Sequence, residues 1–342
     1  MKKSVIVLML VAAALLSISC GGKATQSSAG TKSAELRPVT FKLSNNQPDG
    51  NSTTIAVEWF AKEVNKRTNG RVTIEVHNNG TLGDAVSNLE QAQYGGMDFI
   101  KADLSVMTNF VKEFNALMMP YIYTDTEHFW AAHGGDVGME LLRGDLMTSK
   151  NLYGLTYYDA GTRCFYNTKR PIHTPADMKG MLVRVQQSEL MMSMVEALGG
   201  QAVATAYSEV YSALQTGVVD AAENSIVNYD EQSHYEVAKY FTYDHHTRSA
   251  DILVMSMAAR AKLTEEELRI IDEVALESWE MQKKLWAENE EKSANLLKAA
   301  GVTLTELSPA EFAQFQNACK PIWYAYEGGK YKDLVDRILA AK

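Results

Sequence analysis

Apolar and polar positions alternate at Val39, Phe41 and Leu43, with Thr40 and Lys42 between them. A period of two turns one face of an extended segment inward and predicts a β-strand. From about Thr53 to Asn69 the period lengthens to that of a helix. Ala56, Val57, Phe60, Ala61 and Val64 share one face, and Gly70 closes the segment. Val72, Ile74 and Val76 alternate again. The turn G-T-L-G-D at 80–84 follows, then a helix from Asp84 to Tyr94 stopped by Gly95-Gly96, and a strand from Met97 to Ala102. This β-α-β-α-β order predicts a parallel sheet with right-handed crossovers, whose ligands bind beyond the carboxyl ends of the strands. Those ends fall at Ser44 to Asn46, His77 to Asn79 and Asp103.

A second α/β run begins near Gly161. Met181 to Val185 reads as a buried strand, followed by a helix capped by Ser188 and closed by Gly199-Gly200. Ser208 is placed to cap the next helix, with Glu209 in its first turn, Val210, Ala213 and Leu214 on one face, and Gly217 at its end. Val218 to Ala222 forms a short apolar strand that stops at Glu223-Asn224. The run T-R-C-F-Y-N-T at 162–168 is rich in β formers, and Asp251 to Met257 is another apolar strand. Thr264 to about Ala299 contains neither Gly nor Pro. At 1.5 Å per residue it predicts a helix on the order of 50 Å long, which either crosses two lobes or folds back as a hairpin at the edge of one.

One residue breaks the apolar pattern. Arg184 is a permanent cation inside the strand Met181 to Val185, and a buried guanidinium is costly unless a planar anion meets it. That anion is an internal carboxylate or a ligand, and the residues alone leave both open.

The N-terminus carries Lys2 and Lys3, an apolar run from Val5 to Leu16, then S-I-S-C-G-G. This is the layout of a secretory signal, too short for a comfortable transmembrane span. Cys20 after small residues suits a lipobox, although Ser17 stands where Leu is commoner; the alternative is a cleaved signal with an incidental Cys. Residues 1–20 thus read as a lipoprotein signal peptide and 21–36 as a polar tether. A lipid on Cys20 would hold the protein on the outer face of a membrane. Net charge is −9 over 342 residues and becomes two units more negative without Lys2 and Lys3. With no basic run, that balance excludes nucleic acid as a partner, and an anionic ligand must be held by local cations. Cys164 and Cys319 are read as unpaired thiols, since a chain of this size needs no staple. No G-x-S-x-G, H-E-x-x-H, P-loop or G-x-G-x-x-G motif occurs. His245-His246 is a poor metal pair, because adjacent rings in a strand point to opposite sides, and Met191, Met192 and Met194 read as helix core. No metal or cofactor is expected.

The pieces R-V-Q-Q-S at 184–188, S-E-V-Y-S-A-L-Q-T-G-V-V-D at 208–220 and E-N at 223–224 resemble the solute-binding subunit of tripartite ATP-independent periplasmic (TRAP) transporters, the DctP family. A-G-T-R at 160–163, P-A-D-M-K-G at 175–180 and T-L-G-D at 81–84 resemble it too, in consistent order from about Val39 onward. Ser225 departs from the Pro that usually follows E-N. The resemblance implies an α/β, two-lobed periplasmic-binding-protein-like fold, each lobe a mostly parallel sheet flanked by helices, with the long helix spanning both. Residues 37–160 plus 250–289 would form the first lobe, and 161–249 plus 290–342 the second with the C-terminal helices. It implies that Arg184 clamps a ligand carboxylate, that Asn224 hydrogen-bonds the same group and that Arg163 is a second cation. Asn46 and Asp103, at strand ends, are candidates for ligand hydroxyls, and Tyr207 for stacking on the ligand; Phe165, Tyr166, Tyr121 and Tyr123 read as packing. The function implied is capture of a small organic carboxylate by a monomer that delivers it to the integral-membrane subunits of a sodium-driven permease. Asn46 and Asp103 favour a sugar acid over a four-carbon dicarboxylate. A sensory binding lipoprotein and an exported hydrolase or lyase are the rival readings.

Overall fold

The structure, a computed structural model, describes residues 37–342. The signal peptide, the tether and Cys20 lie outside the described residues. The first alternating segment is β1 (Val39–Asn45), with Phe41 and Leu43 fully buried. Asn51 caps α1 (Ser52–Arg67) by accepting from the Thr53 amide, and Asn69 and Gly70 turn the chain out through left-handed backbone into β2 (Val72–His77). Asp84 caps α2 (Ala85–Gln93), which leads to β3 (Phe99–Asp103). Short helical turns then connect to β4 (Leu152–Asn167). The second run places β5 (Leu182–Val185), α3 (Glu189–Ala197), β6 (Gln201–Ala204), α4 (Val210–Thr216), β7 (Ala221–Asn224) and α5 (Ile226–Glu231) in order. β8 (Tyr240–Ser256) follows, then α6 (Glu265–Ala299) and β9 (Thr303–Glu306).

These nine strands form one sheet in the order β2-β1-β3-β8-β4-β7-β5-β6, with β9 beside β8. Pairing is parallel at both ends, as the β-α-β patterns predict. The middle is different: β3, β4, β7 and β8 pair antiparallel, so the two α/β halves share one mixed sheet. β4 and β8, 16 and 17 residues long, run from one half into the other. Their pairing slips between Asp159 and Thr162, where Gly161 adopts φ +77°. A Cβ there would sit 2.8 Å from Ser225 Cβ and 2.9 Å from the Trp286 ring, so glycine is required by both backbone and space.

One face of the sheet carries a core continuous through both halves, including Ile100, Ile252, Val183 and Val185. The other face carries two separate cores, one around Phe41, Phe60 and Leu253, the other around Tyr166, Val210 and Phe241. The helix α6 joins them: Ile271 and Val274 pack in the first and Trp286 and Leu297 in the second. It therefore spans both halves rather than folding into a hairpin. A capping box between Thr264 and Glu267 fixes its start. At the crossing, the Gln282 amide holds the Asp159 backbone, accepting from its N–H and donating to its C=O at 2.8 Å each.

Two local expectations are corrected. Ser208 does not cap a helix; it lies within a 3₁₀ turn, Tyr207–Glu209, without a side-chain cap bond, and the helix proper begins at Val210. The final strand of that run does not stop before Glu223-Asn224 but includes both, because they extend the ladder with Phe165 and Cys164 of β4. Cys164 and Cys319 are both free and buried.

Candidate functional site

The carboxyl ends of β1, β3 and β5 converge on a cleft of about 330 Å³, within the range typical of small-molecule sites. Asn46, Asp103, Arg184 and Tyr207 all line it. Six polar atoms of its lining are buried yet have no hydrogen-bond partner in the protein: Asn46 Oδ1, Asp103 Oδ1, Arg184 Nη1, Gln186 Oε1, Thr205 Oγ1 and Tyr207 Oη. Buried polar groups are usually paired, so a cluster of unpaired ones around one space marks a candidate ligand site.

Arg184 is buried among apolar neighbours of the sheet, with no carboxylate within ion-pair distance among the described residues. Burial lowers its pKa, with the Glu223 charge and Tyr166 acting the other way. The Thr205 carbonyl accepts from Nε at 3.2 Å and from Nη2 at 2.7 Å. That carbonyl occupies one edge of the guanidinium and fixes its plane. The edge that remains, with Nη1 and the second Nη2 proton, is a planar fork matched to a carboxylate.

Arg163, the expected second cation, is buried and is not among the residues that line the cleft. Both Glu223 carboxylate oxygens take its protons, one at Nε and one at Nη2 (2.9 Å), and Nη2 also donates to the Glu223 carbonyl at 2.8 Å. Nη1 donates to Asn224 Oδ1 at 3.1 Å. One Nη1 proton is left. Burial opposes the charge, but Glu223 outweighs it and holds the Arg163 pKa above its usual value. Asn224 Oδ1 also accepts from the Ser225 amide and from Asn228 Nδ2, so its orientation is set by three donors. Ser225, in place of the usual Pro, caps α5 by accepting from the Asn228 amide.

Glu223 and His246 were missed in the sequence. His246 Nε2 lies 3.3 Å from Glu223 Oε2, and Nδ1 lies 2.8 Å from Asp244 Oδ2. Burial would lower the His246 pKa, but the two carboxylates raise it to about 9, while Arg163 and His246 bring Glu223 down to about 2 against its own burial. Two cations and two carboxylates thus balance. A signal for Glu223 existed: an Arg inside a β-rich run needs an anion on a neighbouring strand, and Glu223 precedes the singled-out Asn224. Phe165 and Tyr166 pack in the core, with Phe165 against the His246 ring at 4.3 Å, and Tyr121 and Tyr123 pack against the core while also lining a separate cavity.

A two-halved sheet with a cation-bearing cleft at its strand ends defines a site suited to a small anionic solute. Residues 43–328 match the DctP family, described as bacterial extracellular solute-binding protein, family 7, and the chain belongs to it. It resembles a TRAP periplasmic solute-binding protein of Bradyrhizobium sp. BTAi1 in complex with α/β-D-galacturonate, at 34% identity and TM-score 0.85, over 89% of this chain and 100% of that one. A counterpart from Roseobacter denitrificans with bound β-D-glucuronate matches at 33% identity and TM-score 0.85 over 89% and 100%. One from Sulfurospirillum deleyianum with bound succinate matches at 27% identity and TM-score 0.84 over 90% and 100%. The protein is a non-enzymatic, extracytoplasmic solute-binding protein of a TRAP transporter.

Proposed function

We propose that the protein captures a hexuronate, a monocarboxylate with several hydroxyls, and delivers it to the membrane subunits of a sodium-driven permease. The observation that carries this is the polarity of the cleft: the open fork of Arg184 on one side, the acceptors Asp103 Oδ1 and Asn46 Oδ1 on the other. A second carboxylate near Asp103 would meet like charge, whereas hydroxyls would donate to it. Arg163, the alternative clamp for a dicarboxylate, is committed to Glu223. The uronates bound by its relatives at 33–34% identity point the same way.

On this reading, residues 37–160 plus 250–289 and residues 161–249 plus 290–342 close on the ligand about the Gly161 crossing. Asn224 offers Nδ2 to the carboxylate, and Tyr207 covers the sugar ring. The protein acts as a monomer held to the membrane through Cys20. A thermal-shift panel tests it. At 100 times its dissociation constant a ligand stabilises by about 2.7 kcal/mol, so D-galacturonate or D-glucuronate should shift the transition more than succinate or malate, and Asp103→Asn should weaken the uronates. If the four-carbon acids give the larger shifts and Asp103→Asn tightens them, the reading is wrong.

A further inference from the structure

Beside Arg184 the cleft holds two further polar groups. Gln186 follows Arg184 by two residues, so in extended backbone the two side chains leave on the same side. Gln186 is 5% exposed, and its Oε1 has no partner in the protein. Thr205 is the residue whose carbonyl holds Arg184 at 2.7 Å, and its own Oγ1 is likewise buried and unpartnered. Both line the cleft. The structure therefore sets an acceptor and a hydroxyl next to the place where the ligand carboxylate is gripped, and leaving either unmet in the complex would be costly.

We infer that Gln186 and Thr205 read the C4 hydroxyl of the bound hexuronate and so set the preference between its C4 epimers, galacturonate and glucuronate. The inference rests on the uronate reading above. In a hexuronate the carboxyl carbon is attached to C5, and the first hydroxyl along the ring from it is that on C4. With the carboxylate fixed by the Arg184 fork, this hydroxyl falls nearest to Gln186 Oε1 and Thr205 Oγ1. It is axial in galacturonate and equatorial in glucuronate, so a fixed acceptor and donor satisfy one orientation better than the other. Sites built to hydrogen-bond a substrate hydroxyl discriminate strongly because a mismatch strands their buried groups. The more distant Asp103 and Asn46 meet hydroxyls farther around the ring, where the two epimers are alike.

The test is calorimetry with D-galacturonate and D-glucuronate on the wild-type protein and on Thr205→Val and Gln186→Leu, both close in shape to the residues they replace. Expected is an affinity ratio between the epimers that moves toward unity by fivefold or more in each variant, with melting temperatures of the unliganded proteins near wild type. Asp103→Asn serves as the contrast and should weaken both epimers alike. If Thr205→Val and Gln186→Leu leave the ratio within twofold of wild type, the inference is overturned, whether affinity falls equally for both acids or does not change. If either variant unfolds, Thr205→Ala or Gln186→Met replaces it and is judged on the same ratio. Wild-type protein that binds neither acid would instead overturn the uronate reading.

Discussion

Replacing Arg184 by lysine isolates what the guanidinium contributes beyond its charge. In the native site, Nε and one Nη2 proton are spent on the Thr205 carbonyl, and the edge formed by Nη1 and the other Nη2 proton is open to the cleft. Two parallel charge-assisted bonds to a carboxylate fit that edge. An ammonium has three donors but no plane; if it keeps the Thr205 bond, it meets the ligand as a point charge with one good bond instead of two. A hydrogen bond to a charged group contributes about 1.5–3 kcal/mol, so Arg184→Lys should weaken uronate binding by roughly 10- to 150-fold. Arg184→Met removes the charge as well. Truncating one side of a buried charged pair costs about 2–5 kcal/mol, or roughly 30-fold to several thousandfold. Stability should change less than affinity, because Arg184 has no internal carboxylate to abandon: relief of its desolvation offsets the loss of two bonds to Thr205. Titration calorimetry with D-glucuronate and D-galacturonate, beside thermal unfolding without ligand, reads both quantities. Lysine binding within threefold of wild type would refute the planar clamp, and so would a methionine variant that unfolds far earlier while its residual affinity stays high.

Stability should have an alkaline limb set by His246. Its folded pKa, about 9, lies above the ordinary 6.5, so the stabilisation is complete below about pH 6.5 and is lost as pH rises through 9. The difference corresponds to on the order of 3 kcal/mol, or a fall in melting temperature on the order of 10 °C between pH 6 and 10; His246→Gln should lower the neutral-pH melting temperature and flatten this limb. Glu223 acts in the opposite range: its folded pKa, about 2 against an ordinary 4.5, gives stability that is present above pH 4.5 and lost as acid carries it toward 2. Gly161→Ala adds a Cβ to left-handed backbone and drives it against Ser225 and Trp286, each under 3 Å away; backbone strain of about 1–3 kcal/mol plus a similar overpacking cost should lower the melting temperature by several degrees.

The outer parts of the fold were legible in the sequence because their strands obey a simple period: Phe41 and Leu43 inward, Val72 and Ile74 inward, each followed by a helix with a recognisable end. The central strands were not. β4 and β8 are buried on both faces yet carry Asp159, Arg163, Asp244, His246 and Asp251. Such residues interrupt any apolar pattern, and their burial is made tolerable only by partners on other strands. That is why β8 was read as the seven residues from Asp251 and not as seventeen. β6 and β9 are four residues each, too short for a periodic signal. Of the site, Arg184 stood out as a cation in an apolar strand, and Asn46 and Asp103 were placed by the rule that ligands meet strand ends. Arg163 and Asn224 came from family resemblance. What the sequence could not tell is that Arg163 already has a carboxylate, because Glu223 lies 60 residues away along the chain.

The shared central sheet has a consequence for how the protein comes to be folded at all. β3 finds its neighbour in β8, and the buried pair Lys101–Asp251 joins residues 150 positions apart. Neither half of the sheet can be completed from a contiguous stretch of chain, so the amino-terminal strands stay without their inner partner until most of the polypeptide is present. Folding dominated by such distant pairings is slow. For a protein whose place of work is beyond the cytoplasmic membrane, slowness is useful: a chain that has not yet closed its sheet is still a chain that can be threaded outward through a narrow channel.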